Sequence, residues 1–105
     1  MATFYVRLDV HNISPEESKL LYVNLTAVKF YRFFLSKNKS YWRLPTGLYR
    51  TDGETLADVS SRIKNVLKRM NKTGEYVIVA SEAITTFGLK PISRTEAIML
   101  NEGAA

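Results

Sequence analysis

Phe30-Tyr31-Arg32-Phe33-Phe34-Leu35-Ser36-Lys37-Asn38-Lys39-Ser40-Tyr41-Trp42-Arg43-Leu44-Pro45-Thr46-Gly47-Leu48-Tyr49 is the stretch on which the fold turns. Phe30 to Leu35 is too aromatic and too short to extend a helix, and it reads as a strand. The polar run Ser36 to Ser40 turns the chain. Tyr41 to Tyr49 then reads as a further strand. Pro45 cannot donate to a ladder, so it belongs at an edge, a bulge or the end of that strand.

Upstream, Thr3 to Val10 alternates: Phe4, Val6, Leu8 and Val10 on one face, Tyr5, Arg7 and Asp9 on the other. That period of two marks a half-buried strand. Ser14-Pro15-Glu16-Glu17 follows as a capping box with proline at the first helical position. The helix it opens runs to about Val28, with Leu21, Leu25 and Val28 on one side. Downstream, Thr51-Asp52-Gly53 turns the chain and Thr55 caps a second helix, with Asp58 near its positive end. Leu56, Val59, Ile63, Val66, Leu67 and Met70 form its apolar stripe, and Gly74 reads as the residue that ends it. Glu75 to Ser81 is a strand apolar enough to be central. Thr85 to Ile92 adds a short edge strand closed by Pro91. Residues 93–105 carry little patterning, although Ala97 to Leu100 could dock.

The resulting order is β-α-β-β-α-β, the split βαβ unit of ferredoxin-like folds. The expectation is a single α+β domain over residues 3–92. It would hold a four-stranded antiparallel sheet with two helices on one face, followed by a short C-terminal tail. The bare face of the sheet would be left for nucleic acid, a second protomer or another protein.

Composition narrows the function. The chain has 105 residues, 46% hydrophobic and 24% charged, enough for one globular domain. It has no cysteine and a single histidine, which disfavours a zinc site and removes any thiolate nucleophile. No phosphate-binding or dinucleotide-binding glycine loop occurs, so no cofactor and no metal are expected. No apolar run is long enough to span a membrane, and no signal sequence is legible, so the expected location is cytoplasmic.

The net charge of +5 is unevenly spread. From Ser18 to Thr51, 34 residues pass without Asp or Glu, and they hold seven bases and eight of the twelve aromatics. Bases interleaved with rings suit a single-stranded nucleic acid, its phosphates on cations and its bases stacked. Alternating strands with a solvated outer face produce the same pattern. The nucleic-acid-binding candidates are Tyr5, Arg7, Arg32, Lys37, Lys39, Tyr41 and Arg43, with Trp42 replacing Tyr41 and Arg43 in the other register. Tyr5 suits a homodimer interface equally well. For cleavage of RNA, His11 is the side chain whose ordinary pKa lies nearest neutrality. Asp9, two residues earlier, could orient a base or, with a partner across a dimer, hold a metal ion. The plain alternative is a surface aspartate and a loop histidine.

Several short motifs resemble the GhoS-type antitoxins, small enterobacterial and prophage proteins. They are Thr3 to His11, Phe30-Tyr31-Arg32, and Leu44-Pro45-Thr46 with Tyr49. Lys72-Thr73-Gly74, Val77-Ile78-Val79 and Thr86-Phe87-Gly88-Leu89 complete the set, which covers roughly residues 3 to 90. The resemblance implies a ferredoxin-like fold and an endoribonuclease that cuts the mRNA of a partner toxin in a toxin–antitoxin system. Leu48 and Arg43 depart from the acidic residue and histidine expected there, and no family motif carries a catalytic role onto a numbered position. The leading expectation is an RNA-binding protein of this type. A phage- or prophage-encoded inhibitor of a host defence or nucleic-acid-processing complex is the alternative.

Overall fold

The computed structural model describes residues 2–36, 40–81 and 88–101. The strand expected at Thr3–Val10 is β1, Ala2–Val10, with Phe4, Val6 and Leu8 buried. The first helix, α1, is Pro15–Ala27, and its capping box forms as the sequence requires: Ser14 Oγ accepts from the Glu17 amide and Glu17 Oε1 accepts from the Ser14 amide. The second, α2, is Leu56–Arg69, where Thr55 Oγ1 accepts from the Asp58 amide.

The four-stranded ferredoxin-like sheet expected from the sequence does not form. Among the described residues, two separate three-stranded antiparallel sheets and three helices stand in its place. One sheet has the order β4-β1-β5, with β4 at Leu48–Gly53 and β5 at Gly74–Ser81. The other has the order β2-β3-β6, with β2 at Phe33–Leu35, β3 at Tyr41–Arg43 and β6 at Lys90–Ile92.

Two local events cause the division. Phe30 is consumed by the end of α1 and sealed in the core, so only Tyr31 reaches β4, through a single bridge to Arg50 with both N–H···O bonds at 2.8 Å. Arg32 then turns inward and the chain pairs with β3 instead. The strand expected over Tyr41–Tyr49 is also cut in two. Leu48 N–H donates to Pro45 O, and Gly47 at φ 88° takes the left-handed position that such a turn reserves for glycine. Pro45 thus stands in the turn after β3, where its missing N–H costs no ladder bond.

The strand Glu75–Ser81, expected to be central, lies at the edge as β5, and β1 is central. Val77 and Val79 are 63% and 54% exposed, so the continuous apolar run reflects one buried and one open face. Among the described residues no strand pairs with the outer edge of β5. Gly74 does not end α2. Asn71, at φ 56°, takes that role, and Gly74 begins β5 where a Cβ would lie 2.7 Å from Asp9 O. The last described segment is a helix, α3, Arg94–Asn101, docked through buried Ala97 and Leu100.

The core lies between the first sheet and α1 and α2. Phe4, Val6, Leu8 and Tyr49 meet Leu21, Leu25, Phe30, Val59, Ile63 and Val66. Each such side chain contributes about 1.5–3 kcal/mol on burial. Arg62 ties the elements at the back: its guanidinium donates to Val28 O, Thr51 Oγ1 and Asp52 O and lies over the Phe30 ring. Burial pushes the Tyr49 phenol far above its ordinary value. No described helix is long and apolar enough to cross a membrane.

Candidate nucleic-acid interface

With α1 and α2 on one side of the first sheet, the alternate residues of β1, β4 and β5 face away from them. Register sets these in rows: Asp52, Thr3 and Ser81; then Arg50, Tyr5 and Val79; then Leu48, Arg7 and Val77; and last Asp9 beside Glu75. Tyr5 lies half-buried between Arg50 and Val79. Burial raises its phenol, with Arg50, hydrogen-bonded to it, opposing. The ring is therefore neutral at physiological pH and offers an uncharged stacking surface. Arg7 donates to Thr46 O at 3.0 Å, which fixes the root of its guanidinium beside the Pro45–Leu48 turn.

The bridge from Tyr31 to Arg50 puts Tyr31 on the face that carries Arg50 and Tyr5, since antiparallel partners share a face. From Tyr31 the rings continue. Its centroid lies 5.6 Å from that of Phe33, which lies 5.4 Å from Tyr41 in an edge-to-face contact. In the second sheet Phe33 is opposite Arg43, and Arg43 is opposite Lys90. An aromatic path thus leaves the first sheet at Tyr5 and Tyr31, crosses to Phe33 and Tyr41, and is bordered by Arg50, Arg7 and Arg43. Tyr31, Phe33 and Tyr41 are all only partly buried. They are not needed by the core cluster, which is complete without them.

Of the residues predicted for this surface, Tyr5, Arg7, Tyr41 and Arg43 lie on or beside the path. Arg32 does not. It is 8% exposed, its guanidinium stacks 3.7 Å from the centroid of Tyr22, and Nη1 donates to Leu100 O. Burial lowers its pKa, and it serves to hold α1 and α3 together. Lys37 and Lys39 lie outside the described residues. Tyr31, Phe33 and Arg50 also lie on or beside the path and were not among the predicted residues. The alternation Tyr31, Phe33, Leu35 stood in the strand already read, but the bridge that turns it onto the face of Tyr5 pairs positions far apart in the chain.

The end of β1 holds the two predicted catalytic residues. Asp9 is exposed and opposite Glu75. His11 places Nδ1 3.2 Å from Thr73 Oγ1 and Nε2 3.2 Å from Glu75 Oε1. The carboxylate in contact with the imidazole is therefore that of Glu75, while Asp9 stands beside it across the β1–β5 pairing. Both ring nitrogens are engaged, so a proton could be taken from a substrate only after one contact opens. Among the described residues no group of three or more His, Asp or Glu is arranged to hold a metal ion.

No protein-family model, curated protein or solved structure gives a significant match to this chain, so the reading of its surface rests on the geometry itself.

Proposed function

We propose that the protein binds single-stranded RNA along the path from Tyr5 and Tyr31 to Phe33 and Tyr41. The observation that carries this reading is the unbroken contact of three half-buried rings bordered by arginines on the same side. Partly exposed rings in series stack successive bases with little regard for sequence, and the flanking cations take the phosphates. The resemblance to endoribonuclease antitoxins points in the same direction. Within this reading, cleavage of the bound strand belongs to the end of β1, where His11 is the acid–base group and Glu75 orients it.

The test is titration of a fluorescein-labelled RNA decamer at two or more salt concentrations, followed by gel analysis of the RNA. Tyr31→Ala and Phe33→Ala should each weaken binding by about 1–3 kcal/mol. His11→Ala should leave affinity unchanged and abolish any cleavage. Affinity insensitive both to salt and to loss of the rings would overturn the RNA reading.

A second reading, a protein-binding module, is favoured by one observation: Val77 and Val79 stand exposed side by side on the same face of an edge strand. A partner docked there would be lost on Val79→Lys and retained at high salt, where RNA binding falls away.

A further inference from the structure

We infer that Arg43 and Lys90 form a phosphate clamp, holding one phosphate of a nucleotide whose base stacks on Phe33; this rests on the RNA reading above. The two cations are direct antiparallel partners on β3 and β6, so their side chains leave the sheet on the same side, one strand spacing apart. Like charges set directly opposite each other are destabilising. Among the described residues neither side chain has an ion pair or a hydrogen bond to offset this. The charge of Arg43 also bears on buried Arg32, whose pKa it lowers further after burial itself. The fold therefore gathers positive charge here, and among the described residues no anion is ion-paired with either cation.

The surroundings limit what that anion can be. A cavity of about 170 Å³ is lined by both cations together with Ile92, Glu96, Met99 and Leu100. A second, of about 230 Å³, shares the same two cations. Both fall short of the roughly 300–1,000 Å³ usual for cofactors and drug-sized ligands. Among the described residues the carboxylate in the lining is that of Glu96, which accepts from the Ser93 amide at the start of α3 and makes no ion pair with either cation. A compact group with several acceptor oxygens satisfies two converging cations, and phosphate is such a group. The row Phe33, Arg43, Lys90 supplies the ring and the cations in the order in which a nucleotide presents base and phosphate.

Trp42, the only tryptophan, lies between Tyr41 and Arg43 on β3, and its fluorescence is the signal followed. The experiment titrates the protein with a uridine decamer, with and without a 5′-phosphate, over a range of salt. Arg43→Gln and Lys90→Gln should each weaken binding about tenfold. Each should also reduce the slope of log affinity against log salt by about 0.7. Both variants should keep or raise the melting temperature, because each relieves the like-charge pairing. A preference for the phosphorylated decamer that either substitution removes would place a terminal phosphate in the clamp. Equal affinities that fall together would place an internal phosphodiester there. Unchanged slopes in both variants, with Phe33→Ala still weakening binding, would overturn the clamp and leave the RNA reading standing. Absence of RNA binding by the unaltered protein would overturn that reading instead. The clamp would then be judged on inorganic phosphate: a saturable Trp42 response lost in Lys90→Gln sustains it, and no response ends it.

Discussion

Glu17 uses one carboxylate twice. Oε1 accepts from the Ser14 amide at 3.0 Å, and Oε2 meets Lys72 Nζ at 2.9 Å, so the start of α1 is tied to the segment that follows α2. The hydrogen bond from Lys72, with the Ser14 amide behind it, holds the carboxyl below its ordinary range. A depressed carboxylate stabilises the fold above its unfolded pKa of about 4.3 and loses that contribution as pH falls through the folded value. Glu17→Gln should therefore melt at a lower temperature than the unaltered protein at pH 7, and the gap should close as the pH drops below about 4. A gap constant with pH would mean that the charge is not what matters. The half of this arrangement that lies within four residues, Ser14 to Glu17, is legible in the sequence. The half that depends on Lys72 is not, for the same reason that Glu75 was missed as the partner of His11: strand register brings together residues that no local pattern connects.

Both main helices end in the same way. After α1, the Phe30 amide donates to Leu25 O and the Lys29 amide to Thr26 O; after α2, the Lys72 amide donates to Leu67 O and the Asn71 amide to Lys68 O. Lys29 and Asn71 accordingly sit at φ 70° and 56°, where glycine is the usual occupant. Asparagine tolerates that conformation, whereas lysine adopts it at a cost of about 1–2 kcal/mol. Lys29→Gly should stabilise by about 1 kcal/mol, raising the melting temperature by roughly 4–8 °C, and Asn71→Gly by less than half of that. Equal gains at the two positions would contradict this account. Element starts were easier to read than ends, because a capping side chain is a residue-type signal, whereas a left-handed residue other than glycine leaves no mark. Two signals were nonetheless present and passed over. Pro45-Thr46-Gly47-Leu48 carries glycine at the third position of a turn, enough to divide the long strand. Ser93 and Glu96 form a second capping box, which starts α3 where the sequence was read as a tail.

At the scale of the molecule, two sheets share one chain but little backbone pairing. The first is anchored by β1 between two long partners and by the core beneath it. The second consists of three-residue strands, joined to the first sheet through the Tyr31–Arg50 bridge and braced by α3. Short pairings with few buried apolar groups open at lower free energy than a core strand. Amide hydrogens of Phe33–Leu35, Tyr41–Arg43 and Ile92 should thus exchange faster than those of Val6 and Leu8. Matched protection across the two sheets would show that they open as one unit. The path proposed for RNA crosses the joint between them, so on that proposal occupancy by a strand of RNA should slow exchange in the second sheet more than in the first. Among the described residues no strand pairs with the outer edge of β5, and this has a different consequence, one for handling the protein. The strand carries a single charge, Glu75, with no lysine and no proline, so it has little of what discourages a neighbouring chain from extending a sheet. Concentrated stocks should therefore thicken into fibrils by edge-wise growth, and a lysine placed on β5 would act as the gatekeeper that the natural strand lacks.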